Sequence, residues 1–393
     1  MPRRRKVLAI AVPFAACLLA LPTGLDYARG ATFVIQAAGL DGAPRTIAEW
    51  NTEDLVESET TIPWRGGILR GRVYRPSSAG RAAEPSSLTA PATLLVPGIH
   101  ASGLDEPRLV QFARDIASTG RIVVTTELTD LKRYSISTRT TDMIEDAASW
   151  LSSRSGFAPE GRVGMMGISF AGGLSIVAAS RPSIRDRVAF VMSFGGHGDL
   201  PRTLQYLCTG KSPDGSSRPP HDYGIAIILL GVADRVVPRE QVQPLRDAIF
   251  RFLQASHVDM VDKAQAQIEF AAATALGDAL PEPARTLMKY VNARDVAQIG
   301  PILLPHVVAL GGDAALSPAS SRPGAPVYLL HGTDDNVIPA VESALLADTL
   351  RARGVEVIQL ATPLITHAEV DRSAALHAVW ELVRFWANLL DEE

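Results

Sequence analysis

Arg162-Val163-Gly164-Met165-Met166-Gly167-Ile168-Ser169-Phe170-Ala171-Gly172-Gly173, continuing as LSIVAAS to Ser180, is the stretch from which the fold can be read. Its first half, RVGMMG, is a short apolar run suited to a strand buried on both faces, and SFAGGLSIVAAS suits a helix. The chain therefore turns from strand to helix at Ser169. Such a turn lifts a serine hydroxyl above the sheet, and its neighbours two positions either side must be small for the backbone to bend that tightly. Gly167 and Ala171 meet that demand, alanine standing where a second glycine is usual. A helix starting at Phe170 also aims backbone N–H groups and the positive end of its dipole at the same place. Taken alone, the pattern fits equally a turn that closes a Rossmann-like unit or holds a phosphate.

The flanking chain supplies the context. Residues 59–76 read as a hairpin, ETTIPW and ILRGRVYRP about a turn at Arg65-Gly66-Gly67. ATLLVPG is a buried strand, and from Asp105 to Thr119 the apolar residues Leu109, Val110, Phe112, Ala113, Ile116 and Ala117 fall at helical spacing before Gly120. RIVVTTEL is the next strand, residues 140–153 an amphipathic helix, and RVAFVMSFGG a strand after the serine helix. The alternation resumes with PVYLLHG, the helix AVESALLADTLRARG, the strand VEVIQLA and a final helix from about Val370 to Leu390. This rhythm predicts an α/β fold with a mostly parallel, doubly wound sheet. Between 204 and 325 the rhythm is lost and helical patterns such as QPLRDAIFRFLQAS dominate, which predicts an inserted, mainly helical cap. The expected organisation is thus a leader at 1–30, a linker at 31–58, a sheet domain at 59–203 and 326–393, and the cap at 204–325.

The leader is MPRRRK followed by VLAIAVPFAACLLALPTGL, an uncharged run with basic residues ahead of it. That pattern predicts an export signal or a membrane anchor, with the rest of the chain outside the cytoplasm, secreted or tethered. The formal net charge of −4 gives no basic stripe and argues against a nucleic-acid partner. Of the two cysteines, Cys17 lies in the apolar leader, so Cys17 and Cys208 make no disulfide framework. No CxxC pair or HExxH helix occurs, so neither a metal site nor a cofactor is expected.

Two further positions complete a pattern with Ser169. An acid lies in His331-Gly332-Thr333-Asp334-Asp335-Asn336-Val337-Ile338-Pro339, after a buried strand, and a histidine, His367, follows the last strand. Carboxyl ends of parallel strands share one edge of a sheet, so residues far apart in sequence converge there. The order Ser, Asp, His is that of a serine nucleophile with its base and orienting acid. A look-alike segment, Gly231-Val232-Ala233-Asp234-Arg235-Val236-Val237-Pro238, offers Asp234 as a rival acid, but the run before it also reads as a cap helix.

With these residues the chain resembles the α/β-hydrolase superfamily, in particular its esterase, dienelactone-hydrolase-like and serine-aminopeptidase-like branches, over about residues 59–203 and 326–390. The resemblance implies Ser169 as nucleophile, His367 as base and Asp335 as acid, with Asp334 pointing away. It also implies that Pro97-Gly98-Ile99 is the oxyanion turn, proline replacing the family's histidine, so that the backbone N–H groups of Ile99 and Phe170 would be the donors. His100 and His197 stand at strand ends on the same edge and are candidate pocket residues. The expected activity is acyl transfer to water, most readily on a small-molecule carboxylic ester. A peptidase or acyltransferase of the same fold, or a non-catalytic binding protein that keeps the fold, are the alternatives.

Overall fold

The computed structural model describes residues 24–39, 42–50, 52–77, 92–259, 261–365 and 376–392. Eight strands form one sheet in the order β1-β2-β4-β3-β5-β6-β7-β8. β1 (Leu55–Trp64) and β2 (Gly67–Pro76) make the hairpin, and β2 pairs antiparallel with β4 (Val123–Thr126). β3 (Thr93–Val96), β5 (Val163–Ile168), β6 (Val188–Phe194), β7 (Val327–Gly332) and β8 (Val357–Thr362) continue the sheet in parallel.

The central strands are apolar without alternation because both of their faces are covered. Successive side chains of a strand point to opposite faces, and here they enter two separate cores. Leu94, Val124, Met165, Val191 and Leu329 belong to one, while their neighbours Leu95, Val123, Met166, Met192 and Leu330 belong to the other. Helices Thr138–Ser152, Phe170–Ala179 and Val341–Ala352 send residues into the first core, and helices Pro107–Ala117 and Leu376–Leu390 into the second. The helix expected from Asp105 begins at Pro107 because the Glu106 carboxylate caps it, accepting from Leu109 N at 2.6 Å.

Between β6 and β7 the helices Tyr223–Val236, Arg239–Val258, Lys263–Asp278, Ala284–Asn292 and Val296–Leu303 form the cap. Asp234 lies exposed on the first of these, so the run before it is helix and not the acid-bearing strand.

The reading of 31–58 as linker is corrected. Residues 24–37 form a helix, helix Ala43–Glu49 follows, and β1 starts at Leu55, four residues before Glu59. The reason is packing: Phe33 is 1% exposed, with its ring centroid 4.0 Å from Trp386 and 5.8 Å from Phe112, and Val34 is buried beside it. Tyr27 stacks on Trp380 at 5.1 Å. Residues 24–30, placed by the sequence in the leader, therefore belong to the folded body. The apolar leader up to residue 23 lies outside the described residues, and among those described no helix is long and apolar enough to cross a membrane. Phe33→Ala is expected to lower the unfolding free energy by about 3–5 kcal/mol, the cost of an unfilled aromatic site in a core. Urea titration checks this; a loss below about 1 kcal/mol would show that the helix adds little to the body.

Candidate functional site

Ser169 follows β5 directly and precedes helix Phe170–Ala179. Its backbone has φ 56° and ψ −134°, a left-handed conformation that costs a non-glycine residue roughly 1–3 kcal/mol. Its neighbours hold it there. Ser169 N donates to Phe194 O on β6 at 2.7 Å, and Ser169 O accepts from Gly172 N at 2.8 Å. The tightness of the turn explains Gly167: a Cβ at that position would collide with the Ala171 carbonyl and lie 2.6 Å from Ser175 Oγ. The hydroxyl-bearing residue is 7% exposed.

The turn after β3 abuts this serine. A Cβ on Gly98 would sit 3.3 Å from both Ile168 O and Ser169 Cβ, so the Gly98-Ile99 peptide passes directly over the elbow. Phe170 occupies the first helical position, whose N–H has no acceptor within its own helix. These are the two amides that the resemblance implies as donors.

Asp335 lies in the turn after β7 and is 4% exposed. Its Oδ1 accepts from Val337 N at 2.8 Å and Ile338 N at 2.9 Å, and its Oδ2 lies 3.3 Å from His331 Nε2. Asp334, by contrast, is exposed and pairs with Arg218 at 2.9 Å. β8 runs parallel beside β7, with Thr362 opposite Gly332, so both strands deliver their carboxyl ends to the same edge. His367 lies outside the described residues; the chain is described to Ile365, which lines the same cavity as Ser169 and Asp335.

That cavity has a volume of about 1000 Å³. Gly98, Ile99 and Ser169 form part of its wall, the cap contributes Tyr223, Ile227, Leu253 and His257, and Phe112 and Phe194 add aromatic surface. Two arginines reach it, each already neutralised: Arg108 pairs with Glu106 at 2.7 Å and Arg294 with Asp222 at 2.6 Å. His100 lines the cavity and meets His257 edge to face at 4.1 Å. Burial, reinforced by the His257 ring, pushes the His100 pKa down to about 4, so it is neutral at physiological pH.

His197 does not join the site. It is fully buried against the far side of the elbow helix, its ring 5.5 Å from Phe170, and its Nε2–H donates to Leu316 O at 2.7 Å. Placement at a strand end brought it to the right edge, but the chain turned it into the core and away from the cavity. Conversely, Tyr223 and His257 reach the cavity without having been singled out in the sequence. Tyr223 opens a cap helix that is apolar almost all round, and His257 lies in the last turn of an amphipathic one, so no local signal short of tertiary contact marks them. Among the described residues no group of three or more His, Cys, Asp or Glu side chains is arranged to hold a metal ion.

No protein-family model matches the chain, and no curated protein sequence matches it. Solved structures do. The chain is similar to a hyperthermophilic esterase from the archaeon Pyrobaculum calidifontis, with 15% identity, 92% of this chain and 91% of that one covered, and a TM-score of 0.45. It is similar also to a brefeldin A esterase described as a bacterial homologue of human hormone sensitive lipase, with 15% identity, coverage of 94% and 82%, and a TM-score of 0.45. An acylaminoacyl peptidase of Pyrococcus horikoshii matches at 12% identity over 89% of this chain and 43% of that one, with a TM-score of 0.45. Independently of those likenesses, a mostly parallel eight-stranded sheet with β2 alone reversed, covered by helices on both faces and carrying a strained serine turn between β5 and its following helix, makes this an α/β-hydrolase fold.

Proposed function

We propose that the chain is a serine hydrolase that transfers an acyl group to water, most readily from a small uncharged carboxylic ester. The observation that carries the reading is Ser169 itself, held left-handed at the elbow, under the Gly98-Ile99 turn and in one cavity with buried Asp335. A strained backbone of this kind persists only where the surrounding structure imposes it, and such strain concentrates at functional sites.

In this mechanism His367 takes the proton from Ser169 Oγ as the oxygen attacks the carbonyl carbon. The negative charge moves to the former carbonyl oxygen, where the N–H groups of Ile99 and Phe170 and the helix N-terminus stabilise it. Collapse of the tetrahedral species expels the alcohol, which receives the proton from His367. Water then attacks the acyl-serine, His367 again acting as base, and the carboxylic acid leaves. Asp335 keeps the imidazole in the tautomer that accepts at the nitrogen facing serine. An uncharged substrate suits the cavity because its arginines are already paired, His100 is neutral, and the cap and Phe112 and Phe194 supply apolar and aromatic surface. A cap over the site suits a small molecule better than a folded polypeptide. The same reading keeps the domain outside the cytoplasm, delivered by the basic and apolar leader.

A fluorophosphonate probe tests the nucleophile directly: the wild type should be labelled and Ser169→Ala should not. Absence of labelling in folded wild type would sink the reading. If His367 must be neutral, kcat/KM on a neutral p-nitrophenyl ester should fall about tenfold per pH unit below an apparent pKa of about 6–7; a profile flat to about pH 5 speaks against a histidine base. Asp335→Asn should lower kcat by several orders of magnitude, on the order of 10⁴ when the tautomer is lost. Asp234→Asn, out on its cap helix, should change it less than about tenfold, and an exchange of these two results would remove Asp335 from the mechanism.

A further inference from the structure

The turn that bears Asp335 is held by a chain of hydrogen bonds that begins outside it. Ile338 is the hinge of this chain. Its N–H donates to Asp335 Oδ1 at 2.9 Å, and its carbonyl is 2.8 Å from His331 Nε2. A carbonyl oxygen only accepts, so Nε2 carries a hydrogen and donates it to Ile338. The same N–H edge lies 3.3 Å from Asp335 Oδ2. The other ring nitrogen, Nδ1, is 2.6 Å from Ser343 Oγ, in the first turn of helix Val341–Ala352. His331 and Ser343 are 0% and 1% exposed, so no solvent competes for these bonds.

The geometry points to His331 and Ser343 as positioning residues for Asp335. Ser343 fixes the imidazole plane, His331 fixes the Ile338 peptide, and that peptide together with the Nε2–H edge sets both the direction and the basicity of the carboxylate. The inference rests on the proposed role of Asp335 and extends it two residues outward. Neither residue touches substrate. Their effect passes through one hydrogen-bonded network, and buried networks of this kind rigidify what they hold.

The sign of the effect follows from the donors. A carboxylate that loses a nearby N–H dipole is less stabilised as the anion and becomes a stronger base. It then holds the protonated form of His367 more tightly, so the base titrates at higher pH. Of the groups facing Asp335, Tyr206 and Tyr223 do not interfere: burial pushes the Tyr206 hydroxyl up to about 12 and the Tyr223 hydroxyl higher still. Asp334, the charged neighbour in the turn, is paired at the surface with Arg218 from the loop after helix Leu200–Thr209.

The test is the pH dependence of fluorophosphonate labelling of the full chain, which needs the nucleophile and its base but no knowledge of the natural substrate. His331→Phe keeps the ring volume and loses both bonds. Its labelling should be slower by about tenfold or more, with the acid limb displaced upward by on the order of half a pH unit. His331→Gln, whose amide nitrogen can reach the place of Nε2, should return the limb toward the wild type. Should the phenylalanine variant fail to fold, Ser343→Ala carries the same test, with a smaller upward displacement. A residue that merely stabilises the fold would lower the melting temperature and leave the limb where it is. An unmoved or lowered limb in a folded His331→Phe or Ser343→Ala protein therefore overturns the inference alone. Absence of labelling in the wild type overturns the functional reading and this inference with it.

Discussion

The backbone of Ser169 is the constraint on which the rest of the site depends. A serine at φ 56° holds an unfavourable conformation, and the surrounding structure must outweigh its cost. It does so with a hydrogen bond from Ser169 N to β6, a first helical turn closed on Ser169 O, and a glycine at 167 where any side chain would collide with that turn. The elbow is therefore a property of β5, β6 and the following helix together. Because β6 is buried on both faces between two cores, it cannot yield, and the strain stays where the serine is.

The carboxylate proposed as the acid is held by a different device. Asp335 is buried, and a buried carboxylate needs donors to remain charged. Two main-chain N–H groups of its own turn supply them at Oδ1, leaving Oδ2 beside the His331 ring. Burial without pairing would push the carboxyl toward its neutral form, which could not support an imidazolium. The turn after β7 is built from hydrogen bonds where the elbow is built from steric exclusion.

The cap and the N-terminal helix close the site from outside the sheet. Tyr223, Ile227, Leu253 and His257 come from the cap, while Phe33, packed on Trp386 and Phe112, comes from the N-terminal helix. The edge-to-face contact of His257 with His100 joins the cap to the turn beside the serine. Both imidazoles lose basicity through burial, so the contact unites two neutral rings at physiological pH and adds no charge to the cavity.

The parallel sheet, the hairpin, the strand-to-helix turn at Ser169 and the helical character of the run before Asp234 were determined by sequence alone. Each rests on a local pattern: short apolar runs for doubly buried strands, small residues around a serine, and a run before Asp234 that reads as helix. Tertiary structure decided what no local pattern carries. Residues 24–37 became part of the body because Phe33 finds Trp386 across more than three hundred residues of chain, a contact invisible to any window around residue 33. His197 and His100 both follow buried strands, yet one ring is locked to Leu316 O in the core and the other lines the cavity. Side-chain direction after a strand is set by the next packing partner, and for these two histidines the partners lie 119 residues away at Leu316 and in the cap at His257.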